Sequence, residues 1–213
     1  MTEPASRAER KLRTRQAILD ATLALTSEAP LAAISIRQVA RAAGIQAPSF
    51  YVHFDSIDSV GLALVEESFA SIQALLTGIR RDVARGRDMI EPSIAALTEQ
   101  ATGNREHFGF MVRERYSGSP VVRAAIRRHL AQLEADFALD LARFLPAAWP
   151  NEDIRLAAKL IVMTIVSTFA DLILGDFATP QEFVDQTIAL IYMQLRGALR
   201  RRSGDAGAGY PWQ

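Results

Sequence analysis

The stretch SIRQVARAAGIQAPSFYVHF, residues 35–54, decides how this chain folds. Ser35 can accept an amide hydrogen bond from the first turn of a helix that begins at Ile36. Gly44 stands where the chain must turn sharply, because glycine adopts a positive φ at no steric cost. Pro48 suits the first turn of the next helix, where its missing N–H is no loss. The stretch therefore predicts two short helices, residues 36–43 and 47–54, joined by a tight turn.

The second of these helices carries side chains suited to reading DNA. In a helix-turn-helix, the N-terminal end of the second helix enters the major groove. There Gln46 can pair with adenine, and Ala47 or Val52 can touch a thymine methyl group. For Tyr51 and His53, the alternative to a DNA contact is that they only cover the surface of the domain. For Gln46, the alternative is that it only begins the helix. The predicted DNA-binding residues, which contact either bases or phosphates, are Arg13, Ser35, Arg37, Gln46, Ala47, Ser49, Tyr51, Val52 and His53.

Charge is unevenly distributed along the chain. The 24 basic and 24 acidic residues give a formal net charge of zero, so no global basic field points to nucleic acid. Between residues 7 and 15, however, four arginines and one lysine stand against Glu9 alone. This basic stretch leads into the first predicted helix and is suited to contact phosphates or a minor groove.

The hydrophobic periodicity is helical over nearly the whole chain, and alternating runs typical of strands are missing. We predict an all-α chain with a three-helix N-terminal helix-turn-helix domain and a larger helical ligand-binding and dimerisation domain. The predicted domains are residues 1–55 and 56–202, followed by a disordered tail, 203–213. About nine helices are predicted, at residues 8–27, 36–43, 47–54, 57–84, two within 88–115, then 121–145, 152–174 and 181–199.

The apolar segment 156–174 is almost long enough to span a bilayer. It contains Lys159 and Asp171, and a charge near a bilayer centre costs roughly 2.5–3.5 kcal/mol. We therefore expect a core or interface helix and no membrane partner. The first thirty residues lack the apolar region of a signal peptide. The sequence has no cysteine, which excludes disulfides and thiolate metal sites and fits the cytoplasmic location that we expect.

The residues that catalysis would need do not form a recognisable constellation. His53, His107 and His129 are far apart and lack metal-ligand spacing. There is no cysteine nucleophile and no glycine-rich loop that would cradle a phosphate. We therefore predict no enzyme activity, no catalytic residues, no metal site and no cofactor.

The helix-turn-helix and its flanks resemble the TetR family of one-component repressors. The resemblance covers about residues 14–66, in the segments TRQAILDATLALTSE, ISIRQVARAAGIQAPSFYVHF and DSIDSVGLALVEE. The helices before and after the motif are both present at the family's spacing. The resemblance implies a repressor that binds a palindromic double-stranded DNA operator as a homodimer and responds to a small apolar effector.

Within the family, the sequence looks closest to the FabR/DesT branch, whose members regulate unsaturated fatty-acid synthesis. The similar segments are PSFYVHF, IDSVGLALVEES and RERYSGSPVVRAAI, at residues 48–54, 57–68 and 113–126. They imply a fatty acyl effector of the acyl-CoA type. Val52 departs from this branch, which usually has arginine there. The alternatives are a repressor of an efflux or catabolic operon that senses an unrelated hydrophobic compound, and a ligand-independent DNA-binding protein.

The resemblance also implies a cavity among the central helices, although apolar residues at helical spacing are usually core. Arg113 and Arg115 are suited to the phosphates of an acyl-CoA. Alternatively, they form a solvated charge pair with Glu114 or Glu106. The predicted ligand-binding residues are Ile72, Leu76, Ile94, Leu97, Phe108, Met111, Val112, Arg113, Tyr116, Phe137, Met163 and Ser167.

The last two helices look like the family's dimerisation pair, which packs against its two-fold mate as a four-helix bundle. The predicted interface residues are Ile154, Ala158, Ile161, Ile165, Phe183, Val184, Ile188, Ile191 and Leu195.

Overall fold

The computed structural model describes residues 6–82, 89–117, 119–145 and 149–202, and every regular element in these ranges is helical. The predicted all-α class is confirmed, as is the number of helices within the described ranges. The predicted tail, 203–213, lies outside the described residues. In chain order the elements are α1 (Arg7–Leu25), a 3₁₀ turn (Leu31–Ala33), α2 (Ile36–Ala42), α3 (Ala47–Phe50), α4 (Ile57–Asp82), α5 (Ile90–Gly103), α6 (Arg105–Ser117), α7 (Pro120–Phe144), α8 (Asn151–Leu174) and α9 (Pro180–Arg202).

Helix α3 is shorter than the predicted helix 47–54. It ends at Phe50, and residues 51–53 form turns. The backbone tightens there, because the Val52 and His53 amides donate to the carbonyls three residues earlier, at 3.3 and 2.9 Å. Such three-residue hydrogen bonds are common where a helix ends.

Helix α1 begins at a reciprocal cap. The Ser6 hydroxyl accepts a hydrogen bond from the Glu9 amide, and the Glu9 carboxylate accepts one from the Ser6 amide at 2.7 Å. This arrangement satisfies two amides that the first turn otherwise leaves unpaired. Farther along, Ile18, Leu19 and Ala21 are buried, and Leu25 is half-buried. The capped end thus carries the basic residues, and the apolar half anchors the helix.

One compact unit of the chain joins Met1–Gln73 with Asn104–His129. Its helices α1 and α2, α2 and α3, and α1 and α6 pack against each other. The unit therefore includes α6 and parts of α4 and α7 in addition to the three N-terminal helices. The predicted division after residue 55 is a functional one and stays a prediction. Fully buried side chains of this unit are Ile18, Leu19, Leu31, Val39, Phe50, Val60, Phe110 and Val122.

The second unit joins Ala74–Gly103 with Leu130–Gln213. Within it, α9 packs against both α5 and α8. The Phe169 and Phe183 rings meet edge to face with their centroids 4.8 Å apart. Arg80 and Asp140 form an ion pair with Nε and Oδ2 2.6 Å apart. Apolar packing and a largely buried charge pair thus hold this unit together.

By length and hydropathy alone, Ile57–Arg81 and Asn151–Leu174 could each cross a membrane. This is a weak indication, because a core helix of a globular protein passes the same test. Helix α8 buries Ile154, Ala158 and Ile161 and packs against α9. The expectation that the chain has no membrane partner stays a prediction.

Candidate nucleic-acid interface

Helix α2 begins at a second reciprocal cap, formed by Ser35 and Gln38. The Ser35 hydroxyl accepts from the Gln38 amide at 3.3 Å and donates to Gln38 Oε1 at 2.6 Å, and the Ser35 amide donates to the same oxygen at 2.9 Å. The cap confirms one prediction for Ser35, which was also counted among the DNA contacts. That second role stays a prediction. Arg37, on the same turn, is exposed.

The turn between α2 and α3 depends on glycine for its conformation. Gly44 has φ of +68°, as predicted, and a Cβ built there would meet nothing within 4 Å. Backbone conformation, rather than space, therefore requires glycine at this position. The Ile45 amide then donates to the Ala40 carbonyl at 2.9 Å and closes the turn.

Helix α3 buries one side and exposes the other. Phe50 is fully buried and packs against Phe54, with their ring centroids 6.1 Å apart. Tyr51 and Val52 are 59% and 65% exposed on the other side. Gln46 occupies the cap position, but its exposed side chain makes no capping hydrogen bond.

Two predicted members of this surface are half-buried at its edge, Ala47 and Ser49. The predicted DNA-binding side chains at positions 46, 47, 49, 51 and 52 thus lie on one short segment around α3. Gln46 holds the N-cap position without capping through its side chain, so the alternative that it serves only to begin the helix stays untested. Contact of these residues with DNA remains a prediction.

His53 lies where α3 meets the basic end of α1. Partial burial lowers the pKa of His53 below 6.5, and the positive charges of Lys11 and Arg15 lower it further. Its Nδ1 is buried and finds no hydrogen-bond partner among the residues that the structure describes. The ring is therefore neutral at pH 7 and can donate one hydrogen bond. A phosphate oxygen is a suitable acceptor.

The basic stretch of α1 divides into exposed and engaged residues. Arg13 is exposed, and so is Lys11. Arg15, which the sequence grouped with them, forms an ion pair with Glu67 at 3.0 Å and lies over the Phe54 ring, 5.1 Å from its centroid. Arg15 thus ties α1 to α4, and its partner lies 52 residues away, where no sequence pattern could reveal it.

The predicted ligand-binding residues fall into three classes of burial. Ile72, Ile94, Leu97 and Phe108 are buried, and Leu76, Met111, Val112, Arg113 and Phe137 are half-buried. Tyr116 is 73% exposed, Met163 is 49% exposed, and Ser167 is also exposed. The last three therefore do not line an interior cavity within the protomer, which corrects the expectation for them.

The alternative that Arg113 pairs with a solvated Glu114 is wrong, because Glu114 is fully buried. The Arg113 guanidinium instead lies over Gly109, where a Cβ would be 3.2 Å from its Nη1.

Within the second unit, a groove of 720 Å³ runs between α5 and α9. Of the predicted dimer residues, Val184 and Ile188 line this groove. None of the predicted ligand-binding residues lines it. The cavity lining stays a prediction.

The predicted dimer residues lie mainly inside the protomer. Ile154, Ala158, Ile161, Phe183 and Ile191 are at most 6% exposed and have almost no surface left for a second copy to cover. For these five the prediction needs correction. The other four, which are half-buried, are Ile165, Val184, Ile188 and Leu195.

The exposed apolar side chains of α8 lie on a different face. Leu156, Leu160 and Met163 are 56%, 50% and 49% exposed, and the exposed Ser167 continues the row. Their spacing of four, three and four residues places them along one side of a helix. We call these four residues the α8 stripe. The 4–3–4 spacing was the available signal, and the exposed charges of Arg155 and Lys159 lie on the adjoining side of the same helix.

The pair His107 and Ser68 has a structural role. In the first unit, His107 Nδ1 lies 3.1 Å from Ser68 Oγ, but that hydroxyl donates to the Leu64 carbonyl at 2.8 Å, so it is not activated as a nucleophile. Across the described ranges, no group of three histidine, aspartate or glutamate side chains is arranged to hold a metal ion.

Residues 18–64 match the model of a family described as bacterial regulatory proteins, tetR family. The matched segment includes part of α1, the whole helix-turn-helix and the first turns of α4. It is the segment whose outward side chains are described above.

Solved structures resemble the chain over most of its length. The fatty acid degradation regulator FadR from Bacillus halodurans is 16% identical, with a TM-score of 0.71 over 92% of this chain and 98% of that one. FadR from Bacillus subtilis, in complex with stearoyl-CoA, is 16% identical, with a TM-score of 0.68 over 85% and 98%. A TetR-like regulator from Rhodococcus sp. RHA1 is 16% identical, with a TM-score of 0.73 over 91% and 99%. The chain therefore has a TetR-like fold, with the helix-turn-helix at its N-terminus.

Proposed function

We propose that this protein is a ligand-responsive transcriptional repressor that binds a palindromic DNA operator as a homodimer in the cytoplasm. The observation that carries the proposal is the outward side of α3. Phe50 is fully buried on the inward side of this helix. Gln46, Tyr51 and Val52 are exposed, on a segment that begins directly after the turn at Gly44. A helix-turn-helix presents its reading residues in this arrangement.

The roles of the side chains follow from their positions. Gln46 reads a base by its amide, and Ala47 and Val52 contact thymine methyl groups. Tyr51 and His53 hydrogen-bond to phosphates. The remaining cations that contact the DNA backbone are Arg13 and Arg37, both exposed on their helices.

A second copy of the chain covers the α8 stripe. Exposed apolar patches on soluble proteins commonly mark interaction sites. A row on one straight helix can meet itself across a two-fold axis, so a single patch serves both subunits. A two-fold dimer also matches the symmetry of a palindromic operator. The four half-buried candidates, Ile165, Val184, Ile188 and Leu195, remain proposed members of the interface.

The effector is a fatty acyl compound of the acyl-CoA type or another apolar small molecule. The support is the likeness to FadR regulators, one of them in complex with stearoyl-CoA, together with the apolar character of the candidate residues. An acyl chain needs such a lining, with few polar groups. The candidates that keep this role are those buried or half-buried: Ile72, Leu76, Ile94, Leu97, Phe108, Met111, Val112, Arg113 and Phe137.

A titration tests the proposal. The purified protein is titrated on its own promoter DNA in the presence of stearoyl-CoA, of an unsaturated acyl-CoA and of free coenzyme A as the control. We expect specific binding without effector and a changed affinity with an acyl-CoA, but no change with coenzyme A alone. Specific binding that ignores both acyl-CoAs would remove the fatty-acid effector and leave the repressor. An absence of specific binding would contradict the proposal as a whole.

A further inference from the structure

A glutamate on α6 is held inside the unit that contains the helix-turn-helix. Glu114 is 0% exposed, and its Oε1 accepts a hydrogen bond from the Leu31 amide at 2.9 Å. Its Oε2 is buried and has no hydrogen-bond partner in the part of the chain that the structure describes. Burying a carboxylate with one unpaired oxygen is costly, and an apolar residue of similar size often serves stability better. Stability alone is therefore a weak reason for this burial.

Leu31, whose amide donates to Glu114, is also enclosed around its side chain. The Leu31 side chain is 0% exposed. It lies against Gly61 of α4 so closely that a Cβ there would overlap it, and the same Cβ would come within 2.9 Å of Val122 Cγ2 of α7. The absence of a side chain at Gly61 thus makes room for Leu31. We call Leu31, Gly61, Glu114 and Val122 the Leu31 socket.

The Leu31 socket lies immediately before the helix-turn-helix. Leu31 begins the 3₁₀ turn, and the Ile34 amide closes this turn by donating to the Leu31 carbonyl at 3.0 Å. The next residue, Ser35, caps α2. Because the connection is short and hydrogen-bonded, the place where Leu31 is held determines where α2 begins.

We propose that Glu114 is a positioning residue for DNA binding. Its carboxylate holds the 3₁₀ turn, and through it α2 and α3, in the arrangement that reads the operator. The position of α6 then sets the DNA affinity through one buried hydrogen bond. The inference rests on the DNA-binding function proposed above and adds a residue that does not touch DNA.

The test compares Glu114→Leu, which removes the acceptor, with Glu114→Gln, which keeps an acceptor of the same shape. Affinity is measured well below the melting temperatures, on a duplex that the wild-type protein selects from random-sequence DNA. Hydrogen exchange of the Leu31 amide is measured in parallel. We expect Glu114→Leu to speed that exchange and to weaken DNA binding roughly 2- to 30-fold, the range of mutations that act through coupling. Glu114→Gln restores most of the affinity.

Two further variants separate positioning from general destabilisation. Ile126→Val truncates a buried side chain of α7 outside the Leu31 socket, and we expect a lower melting temperature with unchanged affinity. Gly61→Ala displaces Leu31 while leaving Glu114 in place, and we expect it to weaken DNA binding even if Glu114→Leu fails to fold. Wild-type affinity in both Gly61→Ala and any folded Glu114→Leu would overturn the inference. So would unchanged exchange of the Leu31 amide in Glu114→Leu. If the wild-type protein selects no DNA, the proposed function itself fails.

Discussion

At position 46 the chain begins α3 with a side chain that does not cap the helix. Gln46 is exposed and its amide makes no capping bond, so both of its polar groups are available to a base. We expect Gln46→Ala to relax the preference at one base pair in each half-site, at a cost of about 1–3 kcal/mol for the preferred base. Sequencing of selected DNA measures this. An unchanged sequence profile would contradict the role of Gln46.

Gly44 leads to a stability prediction, because its φ of +68° is costly for residues with a Cβ. Since a methyl group at this position would meet nothing within 4 Å, the cost is conformational only. We expect Gly44→Ala to lower the free energy of unfolding by about 1–2 kcal/mol. Gly44→Asn should cost less, since asparagine tolerates this backbone region better. Equal melting temperatures for the two variants would argue against this explanation.

His53 makes the protein sensitive to pH near neutrality. Its pKa is lowered in the folded state, so just below pH 6.5 the unfolded chain binds more protons than the folded one. The free energy of unfolding therefore falls as the pH falls through that window. A DNA phosphate beside the ring offsets the charges of Lys11 and Arg15 and raises the pKa, so DNA binding takes up a proton.

Affinity for DNA should consequently rise as the pH is lowered from about 7.5 to about 6, in the range where histidine titrates. The measurement is a series of binding titrations at fixed salt, with His53→Gln as the matched control. The slope of affinity against pH should be smaller in the variant. Identical slopes would show that His53 does not face phosphate.

At the scale of elements, helix ends were predictable except that of α3, and helix faces were only partly so. Ser35, Gly44 and Pro48 act on their immediate neighbours, and their local chemistry fixes the turn between α2 and α3. Helix α8 has apolar residues on its exposed side as well, so hydrophobicity alone did not separate Ile161, which is buried, from Leu160, which is 50% exposed. Only packing against α9 decides between them.

The α8 stripe gives the prediction that belongs to this scale. Leu160→Glu places a charge in the middle of the proposed dimer interface, where it would be buried without a partner at a cost of several kcal/mol. We expect the dimer dissociation constant to rise about 100-fold or more. Analytical ultracentrifugation measures it. Leu139→Glu is the matched control, because Leu139 is 66% exposed on α7, outside the stripe. A stable Leu160→Glu dimer would place the interface elsewhere.

At the scale of the whole molecule, the sequence predicted what depends on local patterns. The all-helical class and the helix-turn-helix follow from spacing, caps and breaks. Long-range pairings did not follow, as Arg15 with Glu67 and Glu114 with the Leu31 amide show, because their partners are 52 and 83 residues away. Sequence patterns suggested that Glu114 was a solvated charge, and only its position in the fold reveals its burial.

A footprint on DNA selected from a random pool by the wild-type protein is the most direct test of the dimeric repressor. We expect a palindrome with two protected half-sites about 34–36 Å apart, one turn of the double helix, and two chains bound to each duplex. Protection of a single half-site by one chain would contradict the dimeric repressor, and a pool without any enriched sequence would contradict specific DNA binding.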